Sequence, residues 1–150
     1  MATIHHSAIC TRAMAASLRF WCDGLGFAVL MDERFHGDWP ALFAAASDEL
    51  HSVFLGEPGN LESGIVELVE LDGSRDGPGA GDGPSTGMFL LSLYTEVDAA
   101  LDRLAALDLG GPPRRISVYG GVQMAVVRDP NGVLVELIER SAATRRDRPG

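Results

Sequence analysis

The chain has 150 residues, 46% of them apolar, with 21 acidic against 12 basic side chains and a net charge of −9. That content suffices for one ordinary core, or for two small halves packed as one unit, and no window approaches the long uncharged run of a membrane span. All the basic residues are arginine, which excludes Schiff-base and lysine general-base chemistry, and an acidic body argues against nucleic acid as a partner.

The N-terminus opens directly on a patterned strand, without a basic region followed by an apolar segment, so no secretory signal is expected and a cytoplasmic location is the default. Cys10 and Cys22 form no CxxC pair and are read as buried small side chains. Arg145, Arg146 and Arg148 against Asp147 give the last ten residues +2, leaving −11 on the rest. Residues 141–150 are expected to be a disordered tail.

A strand is predicted over residues 4–10. A helix follows over 14–22, where Met14, Leu18, Trp21 and Cys22 recur at helical spacing until Gly24-Leu25-Gly26 ends it. Strands are expected over 27–31, 42–46, 52–55 and 64–71, the last two joined by a turn at Glu57-Pro58-Gly59-Asn60. We read this half as β-α-β-β-β. Residues 72–87, rich in glycine, proline and aspartate, have the composition of a flexible linker. They lack the lysine and the strand-to-helix setting of a phosphate-binding loop.

The order then repeats, with a strand over 88–94 and a helix over 96–107. Thr95 and Asp98 give the helix a capping-box pattern, and Val97, Leu101 and Leu104 lie on one face. Gly110-Gly111-Pro112-Pro113 breaks it. Strands are expected over 115–119, 122–127 and 133–139, with Asp129-Pro130-Asn131-Gly132 as a turn. The closing strands of the two halves match: Val66-Glu67-Leu68-Val69-Glu70 returns as Val135-Glu136-Leu137-Ile138-Glu139.

Side chains alternate faces along a strand. Glu67 therefore shares its face with Ile65 and Val69, and Glu136 shares its face with Leu134 and Ile138. An unpaired carboxylate among such neighbours is expensive, and the usual escapes are a partner, a shifted pKa or a bound cation. Glu70 and Glu139 read as solvated strand-end charges. His5 and His6 fall on opposite faces, and His6, with Ile4, Ala8 and Cys10, has the more apolar company and is expected to point inward.

The run His6-Ser7-Ala8-Ile9-Cys10-Thr11, then Ser17-Leu18-Arg19-Phe20-Trp21 and Leu25-Gly26-Phe27, resembles the opening module of the vicinal oxygen chelate superfamily. Arg128-Asp129-Pro130-Asn131-Gly132 with Val133-Leu134-Val135-Glu136-Leu137 resembles its closing strand. That superfamily includes glyoxalase I, methylmalonyl-CoA epimerase, extradiol dioxygenases and bleomycin-type binding proteins. The resemblance covers residues 4–139 and implies an α+β fold of two tandem βαβββ modules curved around a cleft. It implies one domain over 1–140, with module one at 4–71 and module two at 88–139, in a chain that forms a homodimer.

In glyoxalase-like members four side chains hold a metal, one from the first and one from the last strand of each module. Carried over, these are His6, Glu67 and Glu136, with Phe89 or Met88 at the remaining position, neither of them a donor for a metal that prefers nitrogen and oxygen. Extradiol dioxygenases take a histidine from that position, so the dioxygenase reading is demoted. The resemblance then implies a metal-assisted lyase or isomerase of the glyoxalase or epimerase type, acting on a small oxygenated metabolite. A divalent Zn, Ni, Co, Mn or Fe would be held by His6, Glu67 and Glu136, with Glu67 or Glu136 as catalytic base.

The alternative is a metal-free protein of the bleomycin-resistance type that sequesters an antibiotic or aromatic metabolite in a cleft lined by Phe89, Met88, Trp39 and Phe35. His36, Trp39 and His51 are expected in or near a long first-half connection that overhangs the cavity. Tyr119 is a candidate hydrogen-bond donor to a substrate oxygen. No serine sits in a Gly-x-Ser-x-Gly elbow, so a nucleophilic triad finds no support.

Overall fold

The computed structural model describes residues 1–77, 84 and 86–140; the centre of the expected linker and the expected tail lie outside the described residues. The chain divides into two compact units, residues 1–79 and 80–150. Each carries one βαβββ module and one four-stranded sheet.

The first unit runs β1 (His6–Cys10), α1 (Met14–Leu18), a π-helical turn (Arg19–Gly24), β2 (Ala28–His36), α2 (Trp39–Phe43), β3 (Glu49–Gly56) and β4 (Ile65–Glu70). Its sheet order is β1-β4-β3-β2, with β1 parallel to β4 and the other neighbours antiparallel. The helical crossover after β1 allows its parallel pairing with β4, while β2 and β3 pair antiparallel across the connection that holds α2, and β3 and β4 across the loop at 57–64. The predicted turn closes through the Asn60 N–H on the Glu57 carbonyl at 3.0 Å. Phe20 and Trp21 are fully buried together with Val53, Leu55 and Leu68. At this depth each large side chain contributes about 2–3 kcal/mol of burial. Beneath the helix, the Thr11 and Ser17 hydroxyls satisfy one another at 2.9 Å.

Two expectations for this unit fail. Residues 42–46 do not form a strand, because Asp38 accepts the Ala41 N–H at 3.1 Å and Pro40 stands in the first turn, which starts α2 instead. The exposed side of β1 carries His6, Ala8 and Cys10, whereas Ile9 is buried. Cys10 is thus exposed and only Cys22 is half-buried.

The second unit contains β5 (Leu91–Thr95), α3 (Val97–Ala106), β6 (Arg114–Val118), a 3-10 turn (Tyr119–Gly121), β7 (Val122–Arg128) and β8 (Leu134–Glu139), in the sheet order β5-β8-β7-β6. Val97, Ala100 and Leu104 give α3 its buried stripe, which packs on β7 and β8. The Thr95/Asp98 capping box does not form. Glu96 is the N-cap residue and makes no side-chain cap. The Val97 N–H is taken instead by the Glu139 carboxylate at 2.8 Å, and Asp98 pairs with Arg115. No helix among the described residues is long and apolar enough to cross a membrane.

Candidate functional site

In the first unit β1 and β4 bring His6 and Glu67 together. The register sets Ala8 opposite Glu67 and His6 opposite Ile65. His6 and Glu67 thus share a face two positions apart, and His6 Nε2 lies 3.1 Å from Glu67 Oε2. The Glu67 side chain is 13% exposed and that of His6 is 36% exposed. From β3, the Ser52 hydroxyl donates to Glu67 Oε1 at 2.5 Å. The half-buried carboxylate has therefore found partners on both oxygens, which is the first of the escapes open to it.

The chain of contacts continues outward. His5 Nε2 lies 2.9 Å from the Leu61 carbonyl, and His5 Nδ1 lies 2.8 Å from His6 Nδ1. A carbonyl only accepts, so the Leu61 contact takes its proton from His5 Nε2. The contacts thus run in series from the Leu61 carbonyl through the two imidazoles to the Glu67 carboxylate. Phe54, directly across from Glu67 on β3, packs its ring 5.5 Å from His6 and shields one side of the pair.

In the second unit Glu136 accepts from the Ser92 hydroxyl at 2.6 Å. Ser92 is its direct partner on β5, and Leu91 pairs with Val135. Continuing this register places Leu90 opposite Leu134, the place that His6 holds opposite Ile65 in the first unit. The counterpart of His6 is thus Leu90, one residue beyond Phe89, and it too is no metal donor. Met88 and Phe89 precede the strand, 71% and 47% exposed. Tyr119 opens the 3-10 turn, and its side chain lies outside the described set.

The aromatic candidates of the first unit are engaged with each other. Trp39 on α2 donates its ring N–H to the Phe35 carbonyl at 3.4 Å and stacks on Phe43 with 12° between the planes. His36 ends β2, 3.9 Å from Glu49. His51 is not in a connection at all. It sits within β3, its ring nitrogens 2.7 Å from Asp32 on β2 and 2.9 Å from Glu70 on β4. These bonds, that of Glu70 foremost, raise its pKa above the ordinary histidine value, against an opposing effect of burial. Glu70 is therefore a partner of His51 and not a solvated end charge. Thr11, Arg12, Arg34, Glu49, His51 and Glu70 line a polar pocket of about 410 Å³.

Sequence reasoning missed Ser52, which stands just ahead of the apolar run Val53-Phe54-Leu55 of β3, and the Asp32–His51–Glu70 clamp, which spans three strands. A polar residue in the Ser52 position was the one available signal.

Residues 3–137 match the model of the Glyoxalase/Bleomycin resistance protein/Dioxygenase superfamily, and the chain belongs to that superfamily. It is 33% identical over 147 residues to the lactoylglutathione lyase-like protein terB of Aspergillus terreus, covering 91% of this chain and 75% of that one. Among solved structures it resembles a glyoxalase family protein from Bacillus cereus, with a TM-score of 0.71 at 13% identity over 93% of this chain and 94% of that one. It also resembles the trypanothione-dependent glyoxalase I of Leishmania major, with a TM-score of 0.64 at 21% identity over 97% and 92%. These two likenesses show the shared fold of tandem βαβββ modules.

The resemblance assigns a divalent metal to His6, Glu67 and Glu136. His6 and Glu67 offer the right donor atoms, yet two protein ligands fall short of the three or four that such sites use. Among the described residues no group of three His, Cys, Asp or Glu side chains could hold a metal ion. The first unit by itself supplies two donors, His6 and Glu67, and no chemical step is derived through a metal.

Proposed function

We propose that this protein is a lyase or isomerase of the glyoxalase type acting on a small oxygenated metabolite, with Glu67 as the group that moves a proton and His6 as its partner. The observation that supports this reading is the contact of His6 Nε2 with Glu67 Oε2 at 3.1 Å. A carboxylate poised against an imidazole on a half-exposed face has the makings of a general base for a C–H next to a carbonyl. Glu67 accepts the proton and returns it to the neighbouring carbon. His6 and Ser52 hold the carboxylate in place and offset its charge during the exchange. The relationship to a lactoylglutathione lyase-like protein points to hemithioacetals of 2-oxoaldehydes as the first substrates to try.

The test is thioester formation from methylglyoxal and glutathione, with deuterium incorporation read in heavy water. Wild-type turnover with solvent deuterium at the product carbon supports the reading. No turnover and no exchange, whether the protein is used as purified or after incubation with Zn, Ni, Co, Mn or Fe, defeats it. Elemental analysis of the purified protein checks the three-ligand assignment: stoichiometric metal that is lost in Glu136→Ala supports it, and protein free of metal defeats it.

One observation favours a second reading, a metal-free protein that sequesters an aromatic metabolite or antibiotic: Leu90 stands where the second module would supply its opening ligand. It predicts no bound metal, tight uptake of a hydrophobic compound and no turnover. A homodimer remains part of the proposal, since β1, β2, β5 and β6 end their sheets and leave edges for another copy to cover. Light scattering at a mass near twice 15.9 kDa checks it.

A further inference from the structure

The chain that leaves β4 has the composition of a flexible linker, yet its first residues are held. Arg12 stands just past β1, next to Thr11, whose N–H lies on the Val69 carbonyl at 2.9 Å. All three nitrogens of its guanidinium engage the departing chain. Nε donates to Ser74 Oγ at 3.4 Å, Nη1 to Asp76 Oδ1 at 2.6 Å, and Nη2 to the Ser74 carbonyl. The segment turns on itself through the Ser74 N–H and the Leu71 carbonyl at 3.3 Å. Gly73, at a φ of 74°, lies so close to the β2–β3 connection that a Cβ there would stand 2.9 Å from Ala46 Cβ. A side chain at this position would lift the segment away.

What the segment covers is the polar pocket of about 410 Å³, of which residues 71–74 form one wall. Arg34, Glu49, His51 and Glu70 line the rest of it together with the start of the crossover. Glu70 is paired with His51, and His51 alternates along β3 with Ser52, which holds Glu67. The pocket therefore lies on the opposite face of the sheet from the His6–Glu67 pair.

The hold on the segment is specific in shape and weak in energy. A planar fork that meets a carboxylate, a hydroxyl and a carbonyl at once fixes one conformation of residues 74–76. The Arg12 side chain is 58% exposed and that of Asp76 is 91% exposed, so water and salt screen their attraction. The strands beneath are joined by continuous ladders from β1 to β2. Such a contrast lets one segment open locally while the sheet stays paired.

We propose that residues 71–76 are a salt-sensitive strap, latched by Arg12 over the polar pocket of the first unit. At low ionic strength Arg12 holds Ser74 and Asp76 and the strap is shut. Rising ionic strength weakens the Arg12–Asp76 attraction, and the strap swings out as a unit and admits water and small ions to Arg34, Glu49, His51 and Glu70. The device uses no residue of the His6–Glu67 pair, so it stands or falls independently of the proposed chemistry.

Arg75 lies inside the strap, so trypsin cleavage after it in the full chain reads the open population. The rate is measured from about 0.01 M to about 1 M NaCl, over which the screening length falls from about 30 Å to about 3 Å. A free peptide of residues 71–77 corrects for the response of trypsin itself. Relative to that peptide, the wild-type bond is expected to be cut about tenfold more slowly at low salt, with the gap narrowing as salt rises. Arg12→Gln should speed low-salt cleavage about fivefold, remove most of the salt response and leave the urea midpoint nearly unchanged. Arg12→Lys, which keeps the charge and loses the fork, should fall between the two. Gly73→Ala, which lifts the strap without touching the latch, should also speed cleavage, and it carries the test should Arg12→Gln disturb the fold. Cleavage of the wild type as fast as the peptide, equal rates in wild type and both Arg12→Lys and Gly73→Ala, or a salt response unchanged by loss of Arg12 overturns the proposal.

Discussion

The first module gives its closing-strand glutamate a histidine, while the second gives its equivalent a serine and a leucine. Glu67 is held by His6 from β1 and by Ser52 from β3. Glu136 is held by Ser92 from β5, the strand that corresponds to β1. Across from Glu67 the β1 residue is Ala8. A serine hydroxyl thus satisfies the carboxylate in each half, but from opposite sides. The repeated pentapeptide preserves the need to satisfy a half-buried charge and leaves the means of doing so to each sheet. Only in the first module does the solution include a second proton-carrying group.

That asymmetry is most sharply broken by Glu67→Gln beside Glu136→Gln. An amide keeps the size and the hydrogen bond from serine but cannot take up a proton. Glu67→Gln is expected to lower turnover of the hemithioacetal by about 100-fold or more, the usual contribution of a positioned general base, at nearly unchanged thermal stability. Glu136→Gln should cost much less in the same assay. Equal losses in kcat would mean that the serine-held carboxylate does the same chemistry as the histidine-held one.

Much of this arrangement was legible in the residues. The repeat placed both glutamates on a face with apolar neighbours, whereas alternation failed to separate His5 from His6: His5 precedes β1, and both rings contact each other and Phe54. The helix over 97–106 and the two turns before the closing strands were legible too, because their signals are local. What escaped depends on pairing between strands. Counting from one helix to the other put Phe89 or Met88 in the His6 position, whereas the β5–β8 register puts Leu90 there. Residues 42–46 read as a strand on their apolar content, although Asp38 and Pro40 just upstream carry a helix-start signal. The outer glutamates looked like solvated ends, since nothing near them in sequence announces His51 or the start of α3.

The turns that precede the two closing strands are a second matched pair. In the first module Asn60 Oδ1 accepts the Glu62 and Ser63 N–H groups at 3.1 and 3.3 Å, in an exposed setting. In the second, Asp129 Oδ1 accepts those of Asn131 and Val133, both at 2.8 Å, and the residue is 4% exposed. Shorter, charge-assisted bonds away from water are worth more. Asp129→Ala is therefore expected to cost about 2–3 kcal/mol and Asn60→Ala about 1 kcal/mol or less, measured by urea unfolding. The reverse order would mean that burial does not set the strength of these turns.

The outer glutamates extend the contrast. Glu139 ties β8 to the start of α3 by accepting the Val97 N–H, where helix geometry leaves the donor without an intrahelical partner and the dipole favours negative charge. Glu139→Ala should cost about 1 kcal/mol. Glu139→Gln, which keeps an acceptor and loses the charge, should cost about half of that. A helix start that stays equally protected from hydrogen exchange in both variants would show that the cap contributes nothing.

Glu70, its counterpart, holds His51 jointly with Asp32, and here the effect depends on pH. The hydrogen bonds favour the imidazolium, so the folded-state pKa lies above the unfolded one. The resulting stability is fully present below the ordinary histidine pKa and fades as the pH rises through the raised folded value. Arg34, on the same face of β2, opposes the charged ring, and burial does likewise, though less than the two carboxylates favour it. Asp32 is more than half exposed, so its share is screened by water. His51→Gln should therefore destabilise the protein by about 1 kcal/mol at pH 5 and by progressively less as alkali removes the wild-type proton. Urea midpoints of the two proteins should converge on the alkaline side. A constant gap from pH 5 to pH 9 would mean that His51 acts by packing alone, and that the charged clamp of the first module has no more energetic consequence than a neutral side chain of the same size.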